Sequence, residues 1–296
     1  MFIKDNYVKD GDLYMKIIGV IPARYKSSRF PGKPLQDICG KPMVWWVYQQ
    51  AVRVQEFESV YVATDDEKIK AVCDSFGIPC IVTEREHNTH ISRIQEVSEK
   101  VAADYYVVVC GDEPLMEAEV IRNIFSLIDE KEEYCVGGLC RYFSDPAEVV
   151  DPANIKVVTN DEDDTIMLTR SPVPFPYKTI MFRYKKLIGV ECYSKAALDY
   201  FVSQPKGAIE RIEDVTLQRY LEHRIRVRHK LVETDALSVD TPRDLEKVRQ
   251  IMADRIKQGY RIAPVYAGGG HSDYNGGQNI NFCNLSYCLP TYGCAA

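Results

Sequence analysis

The stretch Ile17-Ile18-Gly19-Val20-Ile21, which runs on through Pro22-Ala23-Arg24-Tyr25-Lys26-Ser27-Ser28-Arg29-Phe30-Pro31-Gly32-Lys33-Pro34-Leu35, decides the fold. Five consecutive apolar or small residues fit a strand buried on both faces of a parallel sheet. The loop behind it carries cations, two hydroxyls and a glycine at the carboxyl end of that strand, where open α/β sheets bind ligands. Arginines at 24 and 29 offer bidentate forks and Lys33 a point charge, the means by which a chain receives a triphosphate. Ser27, Ser28 and nearby backbone N–H groups complete an anion nest. The same residues also fit a solvated basic turn. The loop is neither G-x-x-x-x-G-K-[ST] nor G-x-G-x-x-G, which argues against P-loop kinases and dinucleotide-binding dehydrogenases.

Outward from this strand the pattern alternates. Val60–Thr64, Cys80–Val82 and Tyr105–Cys110 read as further strands. Met43–Val52, Glu67–Phe76 (stopped by Gly77) and Ile91–Ala102 read as helices. That rhythm predicts a doubly wound α/β sheet with helices on both faces. Beyond residue 130 the texture is richer in strands: Gly137–Arg141, Ile155–Thr159, Thr165–Leu168, Leu187–Tyr193 and Arg226–Leu231, broken by Pro172, Pro174 and Pro176. Helices are expected at Lys195–Val202, Ile212–His223 and Pro242–Gln258. The second half therefore extends the same sheet and adds an excursion. Residues 1–14 read as an N-terminal extension, 15–258 as the folded domain and 259–296 as a flexible Gly/Asn/Cys-rich appendage.

A net charge of -6 over 296 residues argues against nucleic-acid binding, which needs a basic field. No apolar run is long enough to span a bilayer and the N-terminus lacks a signal peptide's apolar region, so the expectation is a cytoplasmic protein without membrane association. Of the ten cysteines, seven are scattered through the body without a CxxC pair, as small buried hydrophobes are. Cys283, Cys288 and Cys294, with His271, lack the usual spacing of zinc ligands.

Two aspartates stand where a metal would be held. Asp112, in Gly111-Asp112-Glu113-Pro114, ends a central strand. Asp240, in Val239-Asp240-Thr241-Pro242, precedes a helix, where Asp240 or Thr241 alternatively serves as its N-cap. Mg²⁺ takes one or two carboxylates and fills its shell with phosphate oxygens and water.

Together these motifs closely resemble the 3-deoxy-manno-octulosonate cytidylyltransferases (CMP-Kdo synthetases). The likeness begins with Val20–Arg24, Ser28–Leu35 and Ile38–Met43. It continues through Val62-Ala63-Thr64-Asp65, Gly111–Pro114, Asn154–Val158, Arg170 with Pro174, Glu210 with Glu213, and Val239–Pro242. The resemblance implies a Rossmann-like nucleotidyltransferase sheet with a smaller strand-rich dimerisation excursion, a homodimer, and Mg²⁺-dependent transfer of CMP from CTP to a small acid. It implies Arg24, Lys33, Asp112 and Asp240 as catalytic residues, with Asp112 and Asp240 on the metal. Ala23, Arg24, Ser28, Arg29, Lys33, Thr89, Arg93, Cys110 and Gly111 would hold the nucleotide. Arg170, Leu187, Glu191, Glu210 and Glu213 would face the acceptor.

Three departures stand out. Cys110 replaces a glutamine. Thr89-His90-Ile91-Ser92-Arg93 keeps only the first hydroxyl and the Arg of Ser-Gly-Thr-Glu/Asp-Arg. Leu187-Ile188-Gly189-Val190-Glu191 replaces His-x-Gly-Ile-Tyr. Phosphate and metal elements are kept while acceptor elements change, which predicts the same chemistry on an altered acceptor. Glu191 then either pairs with an ammonium on an amine-bearing acid or, by one residue of slip, faces solvent beside Lys185 or Lys186. A chain that binds nucleotide without turnover is the alternative from outside enzymology.

Overall fold

The computed structural model describes residues 15–26, 30–84 and 87–265. Ser27, Ser28, Arg29, the 1–14 extension and the tail with His271 and its three cysteines lie outside the described residues. The first half runs β1 (Ile17–Ala23), a short hairpin of β2 (Asp37–Ile38) and β3 (Lys41–Pro42), α1 (Met43–Ala51), β4 (Ser59–Thr64), α2 (Glu67–Ser75), β5 (Cys80–Val82), α3 (His90–Lys100) and β6 (Tyr105–Val109). The second runs α4 (Ala118–Ile121), β7 (Val136–Tyr142), α5 (Pro146–Val150), β8 (Lys156–Thr159), β9 (Thr165–Thr169), β10 (Lys185–Ser194), α6 (Lys195–Ser203), α7 (Ala208–Glu213), α8 (Gln218–Glu222), β11 (Arg228–Leu231) and α9 (Pro242–Lys257).

The main sheet is ordered β11-β7-β10-β6-β1-β4-β5, with β8 and β9 joined to it through β10. Strands β6, β1, β4 and β5 are mutually parallel, and β10 runs antiparallel to both β6 and β7. Residue alternation along β1 explains the two layers. Ile17, Ile21 and Ala23 pack into the core on one face, with α1 and α9, while Ile18 and Val20 pack into the other, with α3 and α6. The chain leaves β1 toward β4 on one side, and β6 lies on the other, so the sheet switches direction between β1 and β6. A crevice opens outside the carboxyl ends of strands at such a point.

Three expectations need correction, and one open choice is settled. Of two adjacent tryptophans on a helix only one is expected to face the core, yet Trp45 and Trp46 are both buried, packed edge to face at 4.9 Å, and Trp46 donates its indole N–H to the Ile38 carbonyl (2.8 Å). Every residue of α1 is buried, so neither ring is left for an outer surface. The single helix expected over 212–223 is two short ones, because Asp214 takes a left-handed conformation (φ 50°) that ends α7. Both Asp240 and Thr241 were candidates for the α9 cap: Thr241 fills that place, in a reciprocal capping box with Asp244. Finally, the domain does not stop at 258. Tyr260 and Ile262 pack on the core, Tyr260 Oη accepts from Gln50 Nε2 (2.6 Å), and Val265 N–H donates to Gln49 Oε1 (2.8 Å).

Candidate active site

The loops after β1 and β6 approach each other closely at the switch point. A Cβ on Gly111 would lie 2.9 Å from the Pro22 carbonyl oxygen, so a side chain there would force the loops apart. Val239 N–H donates to the Asp112 carbonyl (2.8 Å), which ties the segment before α9 to the same place. Lys33 then closes the cluster. Its Nζ donates to Asp112 Oδ2 and to the Val239 carbonyl, each at 2.8 Å, and stands 3.8 Å from Asp240 Oδ1. One cation thus sits within reach of two carboxylates that the sequence holds far apart. Two hard oxygen donors on one locus suit Mg²⁺, whose remaining positions fall to phosphate oxygens and water. Among the described residues no group of three or more His, Cys, Asp or Glu gathers as a metal cage.

Around this cluster lies a cavity of about 410 Å³. Of the residues expected on the nucleotide, Ala23, Arg24, Lys33, Thr89, Arg93, Cys110 and Gly111 line it, and Asp112 and Asp240 join them. Arg93 is 3 % exposed, donates to Thr83 and stands 3.5 Å from Asp65, so it braces the wall. Thr89 caps α3, accepting from Ser92 N–H at 3.1 Å. Burial, then the Asp112, Glu191 and Glu113 carboxylates, push the Cys110 thiol well up, which keeps it neutral and poorly nucleophilic.

The acceptor set divides. Leu187, Arg170 and Glu191 line the cavity; Glu210 and Glu213 do not. Glu210 is fully buried and pairs both oxygens with Arg219 at 2.7 Å, a structural ion pair joining α7 to α8. Glu213 accepts from the Thr169 hydroxyl (2.9 Å) and the Arg170 backbone N–H, fixing the end of β9. The Arg170 guanidinium itself donates to the carbonyls of Glu213, Pro152 and Asp214.

Glu191 differs from both readings of it. It is 4 % exposed, far from a surface partnership with Lys185 or Lys186, and its Oε2 accepts from His90 Nε2 (2.7 Å) and from the Tyr193 hydroxyl (2.6 Å). Its charge is met inside the protein, so an ammonium on the acceptor has no waiting carboxylate there. Burial works against that charge, but His90 and then Tyr193 outweigh it and hold Glu191 below its usual range.

Sequence reasoning gave no role to Glu113, which the structure places at the centre of the scaffold. Its Oε1 accepts from Gly189 N–H (2.7 Å) and the Ser238 hydroxyl (3.0 Å), joining the loop after β6 to β10 and to the segment that carries Asp240. Burial chiefly, helped by Asp112, raises its pKa to about 7. Gly189 is required beside it, since a Cβ there would fall 2.5 Å from Cys110 Cβ. The available signal was position: Glu113 lies inside the motif that supplied Asp112.

A family profile described as Cytidylyltransferase matches residues 18–228, most of the chain. This chain belongs to the cytidylyltransferase family. Among curated relatives of this cytidylyltransferase, the 3-deoxy-manno-octulosonate cytidylyltransferase of Escherichia coli is 37% identical over 243 residues, covering 82% of this chain and 98% of that one. The 8-amino-3,8-dideoxy-manno-octulosonate cytidylyltransferase of Shewanella sp. (strain W3-18-1) is 33% identical, covering 81% and 99%. Among solved structures, CMP:2-keto-3-deoxy-manno-octonic acid synthetase complexed with CTP superposes with a TM-score of 0.77 at 37% identity, covering 81% of this cytidylyltransferase and 99% of that chain. The α/β nucleotidyltransferase fold expected from the sequence is the one observed.

Proposed function

We propose that this enzyme transfers CMP from CTP to a small sugar acid of the 3-deoxy-manno-octulosonate (Kdo) type and releases pyrophosphate. The observation that supports it most is the meeting of Asp112 and Asp240 around one cation at the floor of the cavity. In this reading the two carboxylates hold Mg²⁺, which supplies charge neutralisation at the α-phosphate and the pyrophosphate when bound. Lys33 swings its ammonium between the aspartates and the triphosphate. Arg24, exposed on the cavity wall, gathers further phosphate charge, and by their place in the sequence motif we assign Ser28 and Arg29 to the same task.

An acceptor oxygen attacks the α-phosphorus in line with the leaving group: the new O–P bond forms as the bond to pyrophosphate breaks. The acceptor hydroxyl gives its proton to water, and the chain serves by positioning and charge neutralisation. The neutral Cys110 supplies no nucleophile for a covalent intermediate. The excursion around β8 and β9 exposes Phe175 (80 %), Ile180 (90 %) and Met181 (82 %), an apolar surface that suits a homodimer seam. We place the reaction in the cytoplasm, where CTP is available; no helix among the described residues is long and apolar enough to cross a membrane.

The relatives that carry an 8-amino acceptor in their names keep a second acceptor in view. The test is pyrophosphate release from CTP and Mg²⁺ with Kdo, with its 8-amino analogue and with simpler 2-keto acids. Release with a sugar acid supports the reading, and a preference for the amine selects the second acceptor. Tight CTP binding with no release for any acid would leave a nucleotide-binding module instead.

A further inference from the structure

Transfer of CMP to an acid creates a need inside the cavity. The acceptor brings its own carboxylate, and Arg24 and Lys33 belong to the triphosphate end. Away from that end, four described side chains that can carry positive charge line the walls: His87, His90, Arg93 and Arg170. Three are committed. His87 places both ring nitrogens, on Ser92 and on Glu96. Arg93 is paired with Asp65, and the Arg170 guanidinium is spent on three backbone carbonyls. His90 commits only Nε2, to Glu191, and its side chain keeps 28 % of its surface exposed while the Glu191 side chain keeps 6 %.

We propose that His90, oriented by its hydrogen bond to Glu191, receives the carboxylate of the acceptor through its other ring nitrogen, Nδ1. The inference rests on transfer of CMP to an acid. Two sequence departures that look separate are one feature in space: His90 opens α3, Glu191 lies in β10, and their side chains meet at 2.7 Å. A buried ion pair contributes little net stability, because desolvation offsets the attraction. An imidazolium facing a cavity from such a pair instead presents a fixed donor to an anion. Burial alone would lower the pKa of His90, but the charge and hydrogen bond of Glu191 outweigh it and raise the value. The other groups that bear on the pair are Arg24 and Asp112 toward His90, and Tyr193 and His229 toward Glu191.

Steady-state kinetics with CTP and Kdo on the full chain test this in wild type, His90→Gln and Glu191→Gln. His90→Gln raises KM for Kdo at least tenfold and moves KM for CTP by less than about twofold. In Glu191→Gln, KM for Kdo begins to climb at lower pH than in wild type, because the imidazole has lost the carboxylate that kept it charged. If His90→Gln melts early, His90→Asn and the Glu191→Gln pH profile carry the same test. Unchanged KM for Kdo, or equal shifts for CTP and Kdo, would overturn the assignment while the proposed reaction stands. A wild type that turns over no acid at all would end the reaction and this assignment together, and the silent wild type distinguishes that failure from the first.

Discussion

Asp112 follows β6 and Asp240 lies 128 residues later, just before α9, yet one ammonium spans them, so each is answerable to the same measurement. Asp112→Asn and Asp240→Asn should each lower turnover at least a hundredfold while far-UV circular dichroism stays native, since both carboxylates are partly exposed at loop positions. Near-normal pyrophosphate release at saturating Mg²⁺ would remove that residue from the metal site. Lys33→Ala should weaken CTP by about 1.5–3 kcal/mol, the range of a charge-assisted hydrogen bond, and leave CMP nearly unchanged in calorimetry. Equal losses would take Lys33 away from the β- and γ-phosphates. The convergence of these residues was legible because Asp112 follows β6 and Asp240 precedes α9, each in a short motif, while Lys33 belongs to the charged loop after β1. Glu191, Glu210 and Glu213 were not, because their partners His90, Arg219 and Arg170 come from elsewhere in the fold and spacing carries no record of them.

Glu113 ties three elements with one carboxyl, and its chemistry makes the tie sensitive to pH. Its folded-state pKa of about 7 lies above the ordinary 4.5, so the native state holds a proton that the unfolded chain gives up. Stability from this group is therefore full below about pH 4.5 and declines as pH rises toward 7. The span corresponds to about 3 kcal/mol before other groups are counted. Thermal melts of wild type and Glu113→Gln between pH 5 and 7.5 check this: the decline should be shallower in the variant, and parallel curves would contradict it. Strand and helix positions were read well wherever the apolar period was long, as in β1, β6 and α9. The short hairpin of β2 and β3, the four-residue α4 and the break at Asp214 escaped, because none of them carries an unbroken apolar run or a full helical period to register. The bulge at Gly189 was invisible for a different reason: what demands glycine there is the neighbouring loop with Cys110.

At the scale of the molecule, two surfaces decide what the sheet is attached to. Truncation after Lys257 removes Tyr260 and the strap on α1, whereas truncation after Val265 keeps them. Differential scanning calorimetry should show the shorter chain melting several degrees earlier, and equal melting would mean the strap adds nothing. Ile180→Asp with Met181→Asp should shift a dimer toward monomer in sedimentation velocity, by placing charge on the exposed apolar part of the excursion. The composition of that segment suggested strands and prolines; its exposure became visible only once β8 and β9 were placed beside β10. Pyrophosphate release alone does not distinguish transfer from hydrolysis, so the most direct test of the account is the identity of the second product. Incubation with CTP, Mg²⁺ and Kdo, followed by mass spectrometry, should yield a CMP–Kdo conjugate equimolar with pyrophosphate. Free CMP with unaltered Kdo, or CTP returned intact with every acid, would contradict it.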